Sequence, residues 1–156
     1  MTVLDSRWEG YRLISMELSR FTDYSLRTLM YAGVHVGETI TVSEVAAAYG
    51  ISENHLVKII HNLGKLGFLE TKRGRSGGLR LSRAPEDINI GSVVRATESM
   101  ALVECLGVDG GKCPIVSACI LKRVIAEARD SFLETFDRYT LQDLLKNKMA
   151  LLRQLP

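Results

Sequence analysis

The stretch "TVSEVAAAYGISENHLVKIIHNLGKLGFLETKRGRSGGLRLS", residues 41–82, admits few folds. Its opening, Thr41 with Glu44 three residues on, is a capping-box pattern that satisfies orphan N–H groups at a helix start. Val42, Val45 and Ala46 to Ala48 then make a short, small-sided helix that stops at Gly50. Ser52 caps the next helix, whose apolar stripe is Leu56, Ile59, Ile60 and Leu63, and Gly67 ends it. Two short helices joined by a tight, glycine-containing turn form a helix-turn-helix pattern. The period then changes. "FLETK" and "LRLS" suit strands, and "RGRSGG" between them is a glycine-rich turn. The expected product is a two-stranded wing beside the helix-turn-helix.

Upstream, Leu18, Phe21, Leu26, Leu29 and Met30 recur at helical spacing and predict a helix over about 18–36, closed by Gly37. The formal charge of the whole chain is +2, yet residues 52–83 alone carry Lys58, Lys65, Lys72, Arg73, Arg75, Arg80 and Arg83 against Glu53 and Glu70. That segment is therefore +5 and the remainder −3. A basic patch on a near-neutral chain is the electrostatic footprint of a nucleic-acid partner, or else a solvated face. The third helix is expected to present Ser52, Asn54, His55, Lys58, His61 and Asn62. Asn and Lys pair with base edges, and Lys also binds phosphate, which positions without reading sequence. The wing adds Lys72, Arg73, Arg75, Ser76 and Gly77, placed to reach the DNA backbone or an adjacent minor groove.

The C-terminal half has a different character. "SRAPEDINI" is a connector, and a short helix with Val93, Val94 and Ala96 starts near Ile90. Pro114 suits the first turn of a long helix, expected over about 114–139. Leu121, Ile125, Ala128, Phe132, Thr135 and Tyr139 step by four and three, an a/d-like seam suited to pairing with a second copy. At ~1.5 Å per residue this helix would be roughly 39 Å long. "TLQDLL" opens a last short helix, capped by Thr140 and Asp143, that folds back as a brace. The expected fold is mainly α with a small β wing: a winged helix-turn-helix domain plus a long dimerisation helix. Its parts are an N-terminal extension (1–15, disordered or non-native), the DNA-binding domain (16–84), a connector helix with a cysteine loop (85–113), and the dimerisation and C-terminal helices (114–148).

All three cysteines, Cys105, Cys113 and Cys119, fall within "VECLGVDGGKCPIVSACILK". An odd number of thiols cannot all pair internally. No signal peptide opens the chain and its apolar runs are too short to span a bilayer, so a cytoplasmic, reducing location with no membrane partner is expected. There, clustered thiols are more often metal ligands or redox sensors than staples. The C-x7-C-x5-C spacing is wider than the C-x2-C or C-x4-C knuckles usual for zinc. A glycine-rich loop of that width suits an iron–sulfur cluster, though zinc, a thiol–disulfide switch and plain buried thiols stay open.

The segments "LSRFTDYSLRTLMY", "VSEVAAAYGISENHLVKIIHNLGKLGFLETKRGRSGGLRL" and "ALVECLGVDGGKCPIVSACILK" resemble the winged-helix iron–sulfur transcriptional repressors, a family with IscR, RirA and NsrR types. The tail "SFLETFDRYTLQDLL" favours the nitric-oxide-sensitive NsrR type, and the likeness runs from about Glu17 to Lys148. The resemblance implies a homodimer on palindromic double-stranded operators, with one cluster per subunit, [4Fe–4S] favoured over [2Fe–2S]. It implies that nitric oxide destroys the cluster and releases DNA. It assigns the cluster ligands to Cys105, Cys113 and Cys119. The histidine that completes the site in the IscR type is replaced here by Lys122, which when charged has only donors and no lone pair to offer a metal. In the NsrR type the fourth ligand is an aspartate of the first helix, from the partner subunit, and "FTDYSLR" puts Asp23 there. From the residues alone, Asp23 and Arg27 make an ordinary i,i+4 ion pair. Two features depart from the family: a longer first cysteine gap, and residues 1–15, which precede its usual start at Met16.

The closest rival function is an iron-responsive regulator of the RirA type. A rival from another class is a zinc- or thiol-based interaction protein that is not an enzyme. Catalysis is not expected: no nucleophile–base pair, phosphate loop or paired carboxylates are present, and His35, His55 and His61 all lie in the DNA-binding half.

Overall fold

A computed structural model describes residues 17–155 apart from Arg73, Arg75 and Ser76. The expected extension over 1–15 and those three wing residues lie outside the described residues. The first helix, α1 (Arg20–Val34), starts where Ser19 Oγ accepts the N–H of Thr22. It buries Thr22, Ser25, Thr28 and Leu29 completely. The small polar groups among them are satisfied locally: Ser25 and Thr28 hydroxyls donate to carbonyls one turn back, each at 2.7 Å. This lets α1 run through the centre of the fold, packed against the helix-turn-helix, the wing and the C-terminal helices that follow.

The helix-turn-helix forms as the sequence predicts. Helix α2 (Val42–Tyr49) carries the reciprocal Thr41–Glu44 capping box and ends at Gly50, in the left-handed conformation with φ +63°. The Thr41 backbone N–H, the larger cause, and the Thr41 hydroxyl both donate to the Glu44 carboxylate and hold it below the usual carboxylate range. Helix α3 (Glu53–Lys65) is capped by Ser52 and buries Leu56, Ile59, Ile60 and Leu63, the expected stripe. Strands β1 (Leu69–Lys72) and β2 (Gly78–Leu81) pair antiparallel, with Leu69 opposite Leu81 and Lys72 opposite Gly78. The wing is pinned to the chain before α2 by an antiparallel bridge. Ile40 N–H donates to Leu79 O at 3.0 Å, and Leu79 N–H to Ile40 O at 2.8 Å.

Beyond the wing a 3₁₀ turn (Pro85–Asp87) leads to α4 (Ile90–Thr97), whose Val93 and Val94 are fully buried. The long helix α5 starts at Ile120, not in the 114 region, and ends at Asp137. Residues 114–118 form turns, with Val116 N–H donating to Cys113 O and Ala118 N–H to Ile115 O. Ile115, Val116 and Ser117 are weaker helix formers, and the Cys119 sulfur takes the N–H of Lys122, so the helix begins after Cys119. Its 18 residues span about 27 Å rather than roughly 39 Å.

Asp137 clamps α5 to α4. Arg95 is paired with both carboxylate oxygens of Asp137, and Asn89 Nδ2 donates to the Asp137 carbonyl at 2.7 Å. A β-carbon on Gly91 would overlap the Asp137 carboxylate, which is why this helix face carries a glycine. The tail then doubles back. Helix α6 (Leu141–Leu144), with its Thr140–Asp143 capping box, buries Leu141 against α1, as does Leu145, the residue that ends it. A Cβ at Gly33 would lie 2.5 Å from Leu145 Cδ1, so the brace sits directly on the bare backbone of α1. A final helix, α7 (Lys148–Gln154), follows. No helix among the described residues is long and apolar enough to cross a membrane.

Candidate nucleic-acid interface and thiol segment

Helix α3 turns its polar side outward. Ser52, Asn54, His55, Lys58 and His61 are all exposed, and Asn62 is half-buried. The stripe Asn54–Lys58–His61 runs along the face opposite Leu56, Ile59 and Leu63. The wing stands beside it: Val57, Ile60 and His61 of α3 share a groove with Lys72, Gly77 and Gly78 of the hairpin. The structure thus brings α3 and the flanks of the wing to one surface. Arg73, Arg75 and Ser76, expected at the tip, lie outside the described residues.

The fold also sorts the basic residues, which spacing could not do. Arg80 donates to the Glu70 carboxylate across the strand pair at 2.7 and 3.0 Å. Arg83 donates to Gly67 O at 2.8 Å and lies over the Phe68 ring, 5.3 Å from its centroid. Both have structural partners within the domain. Lys58 and Lys72 stay exposed on the α3–wing surface. Val57, 54% exposed within this polar stripe, is a surface residue that sequence reasoning misses. The signal is present in its position three after Asn54 and four before His61, but a valine in a helix is ordinarily assigned to the core.

The three cysteines are free and each is half-buried. Cys105 sits in a 3₁₀ turn (Glu104–Leu106), Cys113 at the head of the turns before α5, and Cys119 at the N-cap of α5. The longer first gap is taken up by Gly110 and Gly111, at φ +67° and +68°. They turn the chain back so closely that a Cβ on Gly111 would lie 3.1 Å from the Cα of Cys105. Lys112 N–H reaches the Glu104 carboxylate at 3.4 Å, closing the loop. Among the described residues no three His, Cys, Asp or Glu side chains are gathered to hold a metal ion.

Asp23 lies in the first turn of α1 and is bound by Arg27, with Nε and Nη2 each 2.9 Å from a carboxylate oxygen. The guanidinium also lies over Tyr24 and Tyr49, 5.9 Å from each ring centroid. The local ion pair is therefore present, at a recess that Glu17, Ser19, Tyr49 and Ile51 help to line. On α5, Ile120, Leu121 and Val124 are more than half exposed, and Leu133 alone is fully packed. The apolar seam faces away from its own chain over the first turns.

A family profile described as "Rrf2: Iron-dependent Transcriptional regulator" matches residues 18–147. The chain is 48% identical over 142 residues to the "HTH-type transcriptional regulator NsrR" of Bacillus subtilis (strain 168), covering 90% of this chain and 97% of that one. It is 45% identical over 138 residues to the protein of the same description in Geobacillus kaustophilus (strain HTA426), covering 87% and 94%. Among solved structures, "T. potens IscR" superposes with a TM-score of 0.68 at 26% identity, over 85% of this chain and 88% of that one. The global cysteine regulator CymR of B. subtilis superposes with a TM-score of 0.63 at 23% identity, over 83% and 96%, a likeness of fold.

Proposed function

Because this chain belongs to the Rrf2 family of transcriptional regulators, we propose that it is a homodimeric, iron–sulfur-dependent repressor that lets go of its operator in response to nitric oxide. The broader part follows from membership: it is a winged-helix, DNA-binding regulator and not an enzyme. The observation that carries the finer part is the thiol segment. Three free thiols, none in a disulfide, lie between α4 and the outward-facing start of α5.

The donor set suits a cluster. Soft thiolates select iron–sulfur clusters, zinc or copper(I), and the loop glycines give the backbone freedom to gather them. Cys105, Cys113 and Cys119 would hold it, with Asp23 of the partner subunit as the fourth donor and [4Fe–4S] favoured over [2Fe–2S]. A cluster held by these residues would supply a nitric-oxide-sensitive cross-link between the subunits. Asp23 must leave Arg27 to serve. Such a half-exposed i,i+4 pair is worth only ~0.3–0.5 kcal/mol, so it is no obstacle to a metal–carboxylate bond.

The rest of the chain transmits the change. Asp137 holds α5 on α4 through Arg95 and Asn89, α4 packs on α1, and α1 on α3. A change in how two subunits meet along Leu121, Ile125, Ala128 and Phe132 is thereby passed to the two α3 helices. Helix-turn-helix dimers read half-sites about 34 Å apart on one face of DNA, so a palindrome is the matching operator.

The test is anaerobic purification followed by nitric oxide titration, with visible absorbance and operator binding followed in one sample. Bleaching and loss of DNA binding should run together. Full operator binding by a bleached sample would overturn the mechanism. A colourless anaerobic preparation holding stoichiometric zinc would replace the cluster by a structural ion. One observation favours a second reading, an iron-availability regulator of the RirA type: the matching family profile is described as iron-dependent. Release of DNA on iron chelation without nitric oxide would select it.

A further inference from the structure

We infer that Val57 is a base-reading residue, and that its ligand is the 5-methyl group of a thymine in the major groove. The inference rests on the DNA-binding role of α3 and adds what one of its side chains recognises.

Among the described residues of α2, α3 and the two strands, Val57 is the only large apolar side chain that is exposed. Isolated apolar groups on a surface are ordinary. The company of this one is not. At ~100° per residue, Asn54, Val57, Lys58 and His61 fall within an arc of about 100° on the helix. Directly opposite are Leu56, Ile59 and Leu63, which make the core contacts. Val57 occupies the edge of the polar arc that faces the wing, beside Ile60, His61 and Lys72.

The fold itself gives Val57 no reason to be valine. A β-branched side chain lowers helix propensity relative to Lys, Glu or Ala, and this one stays more than half exposed. Packing explains Ile59 and Ile60, which are buried, but not their exposed neighbour. The polar groups around it, the Asn54 amide, the Lys58 ammonium and the His61 imidazole, are hydrogen-bonding readers of base edges or phosphates. A compact, rigid apolar group among them matches the one apolar feature that a base pair shows in the major groove, the thymine methyl. The side chain is stiff at χ1, so binding costs it little rotamer freedom.

The test uses a duplex selected from a random-sequence pool by the full-length protein, with thymines replaced one at a time by deoxyuridine. That exchange removes only the methyl group. For the wild-type protein, uracil at one position per half-site should weaken binding about fourfold, the value of one buried methyl-sized group. Val57→Ala, which loses the contact in both half-sites of the dimer's operator, should bind the parent duplex about sixteenfold more weakly and lose its sensitivity at that position. It should melt no lower than the wild-type protein, since alanine is the better helix former at an exposed site, and keep the same affinity for non-specific DNA. Wild-type binding indifferent to every thymine-to-uracil exchange would overturn the assignment, as would a Val57→Ala protein with unchanged sensitivity. Failure of the wild-type protein to select any sequence would instead overturn DNA reading by α3, and the assignment with it.

Discussion

Replacing Gly78 by alanine should dislodge the wing. Gly78 opens β2, and a Cβ there would overlap the Ile40 carbonyl oxygen and lie 2.6 Å from Thr39 Cγ2. The Thr39 methyl belongs to a side chain and can rotate away. The Ile40 carbonyl is backbone, and it is committed to the hydrogen bond from Leu79 N–H at 2.8 Å. To restore van der Waals separation the two strands must part by roughly 1 Å, which breaks or badly stretches both bonds of the Ile40–Leu79 bridge. Two backbone hydrogen bonds contribute about 1–3 kcal/mol together, and overpacking costs about the same if the strands stay put. Either route gives a loss of about 2 kcal/mol, or roughly 4–8 °C in Tm for a domain of this size. Operator affinity should fall as well, because the wing and α3 no longer share one surface. Gly64→Ala is the matched control. Gly64 lies inside α3, and its added Cβ would meet nothing closer than Leu69 O at 3.8 Å, so that variant should be neutral or up to about 1 kcal/mol more stable. Thermal melts and fluorescence anisotropy on the two variants decide the matter. A Gly78→Ala protein with wild-type melting and wild-type operator affinity would refute the idea that this bridge holds the wing.

Alanine at Cys105, Cys113 or Cys119 should remove the visible chromophore and operator affinity together, read by absorbance and gel shift. Asp23→Ala should keep part of the chromophore but shorten its lifetime under nitric oxide. Arg73→Ala and Arg75→Ala should each reduce the slope of log affinity against log salt by about one unit for every phosphate that the arginine neutralises. Leu121→Glu, on the exposed start of α5, should shift the protein from dimer to monomer in sedimentation. Acid should loosen the α6 brace. The Thr140 backbone N–H, then the Lys146 ammonium and the Thr140 hydroxyl, hold the Asp143 carboxyl at about 2 against an ordinary 3.8. Its folded value is depressed, so its contribution is complete above about pH 4 and disappears as pH falls through 2. The Tm gap between wild type and Asp143→Asn should close over that window, and a gap unchanged at pH 2 would show that the cap does not titrate there.

Much of this molecule is legible in the chain itself because its signals are local. Thr41 with Glu44, Ser52, Gly50 and Thr140 with Asp143 each act within one helical turn, and each sits where the sequence puts it. The stripe Leu56–Ile59–Ile60–Leu63 and the change of period into the wing need no distant partner either. The clustering of three thiols within fifteen residues is likewise a property of the chain. The start of α5 differs from the expected one because Pro114 permits a helix start without requiring one, while the Cys119 side chain supplies an actual cap.

What the tertiary structure alone decided involves residues far apart along the chain. Arg95 meets Asp137, the Gly33 backbone receives Leu145, and the Ile40 carbonyl presses on Gly78. Arg80 and Arg83 are taken up by Glu70, Gly67 and Phe68, while Lys58 and Lys72 remain exposed beside α3. Val57 is left uncovered for the same reason: whether an apolar residue at the edge of a helical stripe is buried depends on which neighbour packs there, and spacing along one helix does not specify its neighbours. Hydrogen bonding within a turn is encoded over three or four residues. The close approach of two backbones is set by the sum of all the side chains between them, and it exists only once the chain has folded.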